Sequence, residues 1–149
     1  PIFRTSSAAS GSTYTALRPS PTEGTRYGGV LQRFPKNRKF HYPDVTVVCD
    51  EPQFAYDERD ALLNPLLIVE VLSDSTGDYD RNEKFAYYKE IESFREYLLV
   101  AQDEPVVERF LKRPDGSWVG ARVEGLDQGI ELMTINCRLR LKDIYSKVL

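Results

Sequence analysis

Two short stretches place an acid at the edge of, or inside, an apolar β-type run: Tyr42-Pro43-Asp44-Val45 and Leu67-Ile68-Val69-Glu70-Val71-Leu72-Ser73. An acid buried in such a run is costly unless something compensates it. A divalent cation is one compensation, and an Asp with a Glu suits Mg²⁺ or Mn²⁺. Phosphodiester cleavage needs a nucleophilic water, neutralised charge on the phosphate and help for the leaving oxygen. Acids that hold a metal supply the first two, and a nearby lysine orients the water or stabilises developing charge. Strand alternation puts Glu70 and Leu72 on one face and Val69 and Val71 on the other. A lysine two residues beyond Glu70 would share its face, but that position is Leu72, so the geometric substitute is Lys84 on the following helix. The reading is Asp44 and Glu70 on a metal, the Val71 carbonyl as a further ligand, and Lys84 beside the water or the transition state.

The elements that must position these residues are legible from residue 39 onward. Lys39 to Cys49 is strand-like, with Val45, Val47 and Val48. Residues 50–64 are charged and turn-rich, as a loop is. Leu66 to Leu72 is the nearly continuous apolar run of a central strand buried on both faces. After a capping loop at 74–78, Asp80 to Glu92 reads as a helix, with Phe85, Tyr88 and Ile91 on its apolar face. Glu96 to Ala101 is a further strand. Val106 to Leu111 and Ser117 to Val123 pair as a hairpin around Pro114-Asp115-Gly116. Residues 129–141 add short strands, and Leu141 to Val148 a final helical turn or two. Tyr14 to Leu17 is read as the end of a helix stopped by Arg18-Pro19, after a linker-like 5–13. This order implies a mixed α/β (α+β) fold with a central sheet, flanking helices and a C-terminal β-hairpin.

Composition sets the outer bounds. The 149 residues suffice for one domain with a sizeable core. No apolar run approaches the roughly 18 to 20 residues of a membrane span, and no signal peptide is visible. Cys49 and Cys137 lack metal-ligand spacing, which favours a reduced, cytoplasmic protein. His41 is the sole histidine, which counts against a His-rich zinc site and against a Ser-His-Asp triad. Residues 1–42 carry seven Lys/Arg against one acid (+6), and residues 43–149 carry 13 against 22 (−9), which together give the net −3. The basic arm suits phosphate or plain solvation; the acidic remainder opposes tight non-specific DNA binding unless a metal offsets it.

The stretches 42–45, Pro65 to Ser73, Ser75 to Tyr88 and Arg95 to Val100, in this order and spacing, carry a resemblance. Through them residues 41–149 resemble a bacterial restriction-endonuclease domain family of the PD-(D/E)XK nuclease superfamily. The resemblance implies a restriction-endonuclease-like fold and a Mg²⁺- or Mn²⁺-dependent endonuclease acting on DNA. The family's acids and displaced lysine map onto Asp44, Glu70 and Lys84. Residues 1–40 fit less well and read as an incomplete or divergent N-terminal part of one domain over 1–149. The acid that the family often has on an earlier strand has no counterpart near Tyr27-Gly28-Gly29-Val30. A homodimer suits double-strand cutting.

Each residue also has a plainer reading. Asp44 suits a turn cap, Lys84 an exposed helix lysine, and Asp78 and Asp80 helix caps. Ser73 suits a loop or cap; His41, Tyr87, Tyr88 and Trp118 suit packing. The competing function is a non-catalytic module that keeps the fold and binds nucleic acid or protein. RNA or branched DNA is an alternative substrate.

Overall fold

The strand Leu67–Leu72 organises the molecule because its residues are apolar on both sides. A computed structural model describes residues 4–7, 13–16, 25–27, 31–33, 40–55, 61–73 and 77–147. Its strands run β1 (Arg4–Ser7), β2 (Thr13–Ala16), β3 (Thr25–Tyr27), β4 (Leu31–Arg33), β5 (Phe40–His41), β6 (Val45–Val48), β7 (Ala61–Leu62) and β8 (Leu67–Leu72). A helical stretch follows, made of α1 (Gly77–Tyr79), a wide π turn (Asp80–Lys84) and α2 (Phe85–Tyr88). Then come β9 (Glu96–Ala101), β10 (Val106–Lys112), β11 (Trp118–Glu124), β12 (Gly129–Leu132), β13 (Cys137–Arg140) and α3 (Leu141–Ile144).

The main sheet has the order β11-β10-β9-β8-β6-β3. β8 is parallel to β9 and antiparallel to β6, so the sheet is mixed and β8 is central. Parallel neighbours need a crossover, and the helical stretch supplies it. Alternation along β8 then builds two cores. Ile68 and Leu72 pack with Phe85, Tyr88, Ile91, Phe94, Tyr97 and Leu99 on the helical side. Leu67 packs with Val47, Leu98, Val100 and Val107 beneath the β12–β13 hairpin and α3, with Val69 against that same group.

The β10–β11 hairpin closes through Arg113 and Ser117, with the Arg113 N–H donating to the Ser117 carbonyl at 2.7 Å. Gly116 has φ +85° there, a conformation that a side chain would strain. Each hairpin arm extends one residue past the expected end. β9, the 129–141 strands and the closing helix match the sequence reading; the closing helix stops at Ile144.

Several expectations are corrected. The stretch Thr13–Ala16 is a strand, not the end of a helix, and it pairs antiparallel with Arg4–Ser7 in the segment read as linker. Aromatic and β-branched Tyr14, Thr13 and Thr15 favour that pairing; Leu17 and residues 8–12 lie outside the described residues. The strand expected over 39–49 is split into β5 and β6, because Pro43 has no N–H to give a ladder. The expected 50–64 loop contains β7, parallel to β4. The helix expected over 80–92 spans 77–88. Beyond it the Glu90 and Ile91 N–H groups bond three residues back, at 3.0 Å each, which tightens the chain into turns.

Among the described residues, no helix is long and apolar enough to cross a membrane.

Candidate active site

Asp44 stands just before β6, at the bend that Pro43 imposes. Val45 faces Val69 across the β6–β8 ladder, and one step along that register brings position 44 to position 70. Asp44 Oδ2 accepts a hydrogen bond from the Val71 N–H at 2.7 Å. The Val71 backbone therefore borders Asp44, while its side chain points to the opposite face and is largely exposed. Only one of the two acids is buried: Asp44 is exposed, whereas Glu70 is 2 % exposed. The argument from burial cost thus applies to Glu70 and not to Asp44. Asp44 lies at a strand mouth, where water solvates it.

The helical stretch presents Asp80, Lys84 and Tyr88, spaced four residues apart, on the side facing β8. Side chains at i and i+4 share a helix face. Lys84 Nζ lies 3.2 Å from Glu70 Oε1 and 2.7 Å from Asp80 Oδ1, with its side chain 16 % exposed. Lys84 therefore points inward rather than to solvent. The Tyr88 hydroxyl donates to Glu70 Oε1 at 2.6 Å. From β9, the Tyr97 hydroxyl donates to the Asp80 carbonyl at 3.0 Å and fixes the backbone of the π turn.

The electrostatics follow from this burial. Desolvation raises the Glu70 carboxyl from 4.5 to about 7, against the bonds from Tyr88 and Lys84, and the charge of Asp44 adds to the rise. Burial alone would lower Lys84. Its bonds to Asp80 and Glu70 outweigh that and raise it, so it remains an ammonium. Burial and the Glu70 charge push the Tyr88 phenol far above its ordinary range, and Tyr97 is raised by burial and by Glu70, Asp80 and Asp44. Both phenols are therefore hydrogen-bond donors.

Asp80, Tyr88 and Tyr97 belong to this cluster; the sequence reading made Asp80 a cap and Tyr88 a packing residue and gave Tyr97 no role beyond its strand. Asp80 is no cap. It lies inside a continuous helical stretch and is 2 % exposed. Tyr88 is packed as expected, but its hydroxyl also serves Glu70. The i, i+4, i+8 spacing of an acid, a lysine and a tyrosine is the signal that would have found Asp80 and Tyr88. His41 stacks on Tyr87 with ring centroids 5.5 Å apart, and Trp118 packs edge-on to Phe85 at 5.1 Å, both packing roles as expected.

Among the described residues, no three His, Cys, Asp or Glu groups form a ready metal cage. The donor set at this place is two carboxylates and the neighbouring main chain. The hydrogen bonds from the Val71 N–H, Lys84 and Tyr88 fall on Asp44 Oδ2 and Glu70 Oε1.

The family model of Uma2, described as "Putative restriction endonuclease", matches residues 6–142. Two uncharacterized proteins of Synechocystis sp. are similar to the chain. Sll1609 is 38 % identical over 96 residues, covering 64 % of this chain and 54 % of that protein. Slr1290 is 34 % identical over 103 residues, covering 69 % and 53 %. The chain thus spans about half the length of these curated relatives. A solved structure of a putative nuclease belonging to DUF820, from Anabaena variabilis, superposes with a TM-score of 0.66 at 14 % identity. That match covers 87 % of this chain and 72 % of the other, a likeness of fold.

Proposed function

This chain belongs to the Uma2 family of putative restriction endonucleases, and we propose that it is a Mg²⁺- or Mn²⁺-dependent endodeoxyribonuclease that uses Asp44, Glu70 and Lys84. The observation that carries the proposal is the buried Glu70 carboxylate, 3.2 Å from the Lys84 ammonium and set opposite position 44 when the β6–β8 register is continued one step past Val45 and Val69. An ammonium wedged beside a buried acid at a strand mouth is an expensive arrangement for packing alone.

The donor set fits the ion. Mg²⁺ keeps several waters and takes one or two carboxylates plus substrate phosphate. Asp44 and Glu70, with the Val71 carbonyl, would hold it. When bound, the ion neutralises charge at the phosphate and makes a bound water more acidic. The Val71 N–H orients Asp44 by holding Oδ2, and Tyr88 orients Glu70 by holding Oε1. Lys84 carries a permanent positive charge, so its role is electrostatic: it donates to the attacking water or to the non-bridging phosphate oxygen as negative charge grows there. DNA is the proposed substrate. Cutting both strands calls for two such sites, so a homodimer is part of the proposal.

The test is cleavage of supercoiled plasmid by the purified protein with Mg²⁺ or Mn²⁺. Nicking that is lost in Glu70→Ala and Lys84→Ala supports the reading. An inactive wild type that also lacks an Asp44-dependent Mn²⁺ site removes it. A second reading is a binding module that keeps the fold without cleavage. It is favoured by the two-carboxylate donor set and by Leu72 at the strand position two beyond Glu70. DNA binding without any Mn²⁺ site would select it.

A further inference from the structure

We infer that Asp80 is a positioning residue that holds the Lys84 ammonium in the site independently of Glu70; this rests on the proposed roles of Glu70 and Lys84. Asp80 is 2 % exposed, and a carboxylate so buried needs a partner. Its partner is Lys84, at 2.7 Å, closer than the 3.2 Å from Lys84 to Glu70. The Tyr97 hydroxyl donates to the Asp80 main-chain carbonyl at 3.0 Å, so β9 fixes the backbone that carries the carboxylate.

The need for a second anchor follows from the charges. A cation on Glu70 competes with Lys84 for that carboxylate and repels the ammonium. A lysine stem has high rotamer entropy and leaves a site that no longer holds it. Asp80 lies four residues before Lys84 on the same face, so it keeps its hold when Glu70 is engaged. An ammonium has three donors. Held by the ion pair with Asp80, the ammonium can turn these donors to water or phosphate once Glu70 is engaged. Formally, Asp44, Glu70 and Asp80 contribute −3 and Lys84 +1, and the resulting −2 matches one divalent cation.

The test separates this inference from the nuclease reading. The first readout is a ¹H–¹⁵N spectrum of lysine ammonium groups in the full chain, which shows only ammoniums protected from exchange. The Lys84 signal is identified by its absence in Lys84→Arg. Glu70→Gln removes the competing charge without adding metal. The protected signal persists in Glu70→Gln and disappears in Glu70→Gln/Asp80→Asn, with Asp80→Ser replacing Asp80→Asn if melting curves show that the double variant is unfolded. A signal already lost in Glu70→Gln, or one retained in the double variant, overturns the inference.

The second readout is cleavage with Mn²⁺. Asp80→Asn lowers kcat about 10- to 100-fold, leaves the KM for DNA and the Mn²⁺ midpoint within about twofold, and is partly rescued by Asp80→Glu. A loss of Mn²⁺ affinity equal to that of Glu70→Gln would make Asp80 a ligand and overturn the positioning role. A wild type that cuts no DNA removes the nuclease reading, and the spectra alone then decide the role of Asp80.

Discussion

Glu70 and Glu96 are both buried glutamates on adjacent parallel strands, and the same sequence argument applies to each. Their surroundings differ. Glu96 is fully buried and is met by backbone: Met133 N–H at 3.1 Å, Thr134 N–H at 3.0 Å and the Thr134 hydroxyl at 2.5 Å, with Arg109 at 3.9 Å. It ties the turn after β12 to the edge of β9. Glu70 is met by side chains, the Lys84 ammonium and the hydroxyl donor of Tyr88, and has a second acid beside it. A carboxylate whose oxygens are claimed by main-chain donors is a structural clamp. A carboxylate held on one oxygen, next to an ammonium and an exposed acid, is suited to chemistry. The difference lies in the compensation and not in the burial.

Substitutions at the two positions should separate activity from stability. The largest effect expected is on cleavage: Glu70→Gln lowers the plasmid-nicking rate by about 1,000-fold or more with a native circular-dichroism spectrum, while Glu96→Gln keeps most of the rate. Comparable losses at both would erase the distinction. Next comes folding. Glu96→Ala removes the buried acceptor of two main-chain N–H groups and a hydroxyl, and should cost about 2–4 kcal/mol in urea unfolding, with Mn²⁺ binding retained.

Stability against pH gives a smaller effect. The folded carboxyl of Glu70 lies near 7, above its unfolded value of 4.5. Between these values the unfolded chain has released a proton that the folded chain still holds. The stability contributed by Glu70 is thus complete below about 4.5 and is lost as pH rises through 7. Relative to Glu70→Gln, the metal-free wild type should lose roughly 1–3 kcal/mol across that window. A constant difference between the two would show that Glu70 is not desolvated as described. Smallest is Tyr88→Phe, which removes one buried bond to Glu70 and should cost about 1–2 kcal/mol above neutral pH.

Much of this was readable in the chain because it depends on local pattern. The apolar run around Glu70 marks a central strand, and the alternation along it correctly assigns Leu72 and Val69 to opposite cores. The helical phase of Phe85, Tyr88 and Ile91 marks the face that covers it. What was missed depends on contacts distant in sequence. Glu96 looks like an uncompensated acid until the Met133–Thr134 turn, more than thirty residues later, supplies its donors. Asp80 looks like a cap because caps and helix interiors share residue types, and only the start of the helix at Gly77 separates the two. Near the N-terminus, the helix reading of Tyr14-Thr15-Ala16 rested on the Arg18-Pro19 stop and gave too little weight to the strand preference of Tyr14 and Thr15, which pair with Arg4–Ser7.

The central claim is that Glu70 belongs to a cation site with Asp44 and that Glu96 does not. Calorimetric titration of Mn²⁺ into the wild type, Asp44→Asn, Glu70→Gln and Glu96→Gln tests it most directly. The account requires one site in the wild type and in Glu96→Gln, lost or weakened at least about tenfold in Asp44→Asn and Glu70→Gln. A wild type that binds no Mn²⁺, or a Glu70→Gln variant that binds it as the wild type does, would contradict the account.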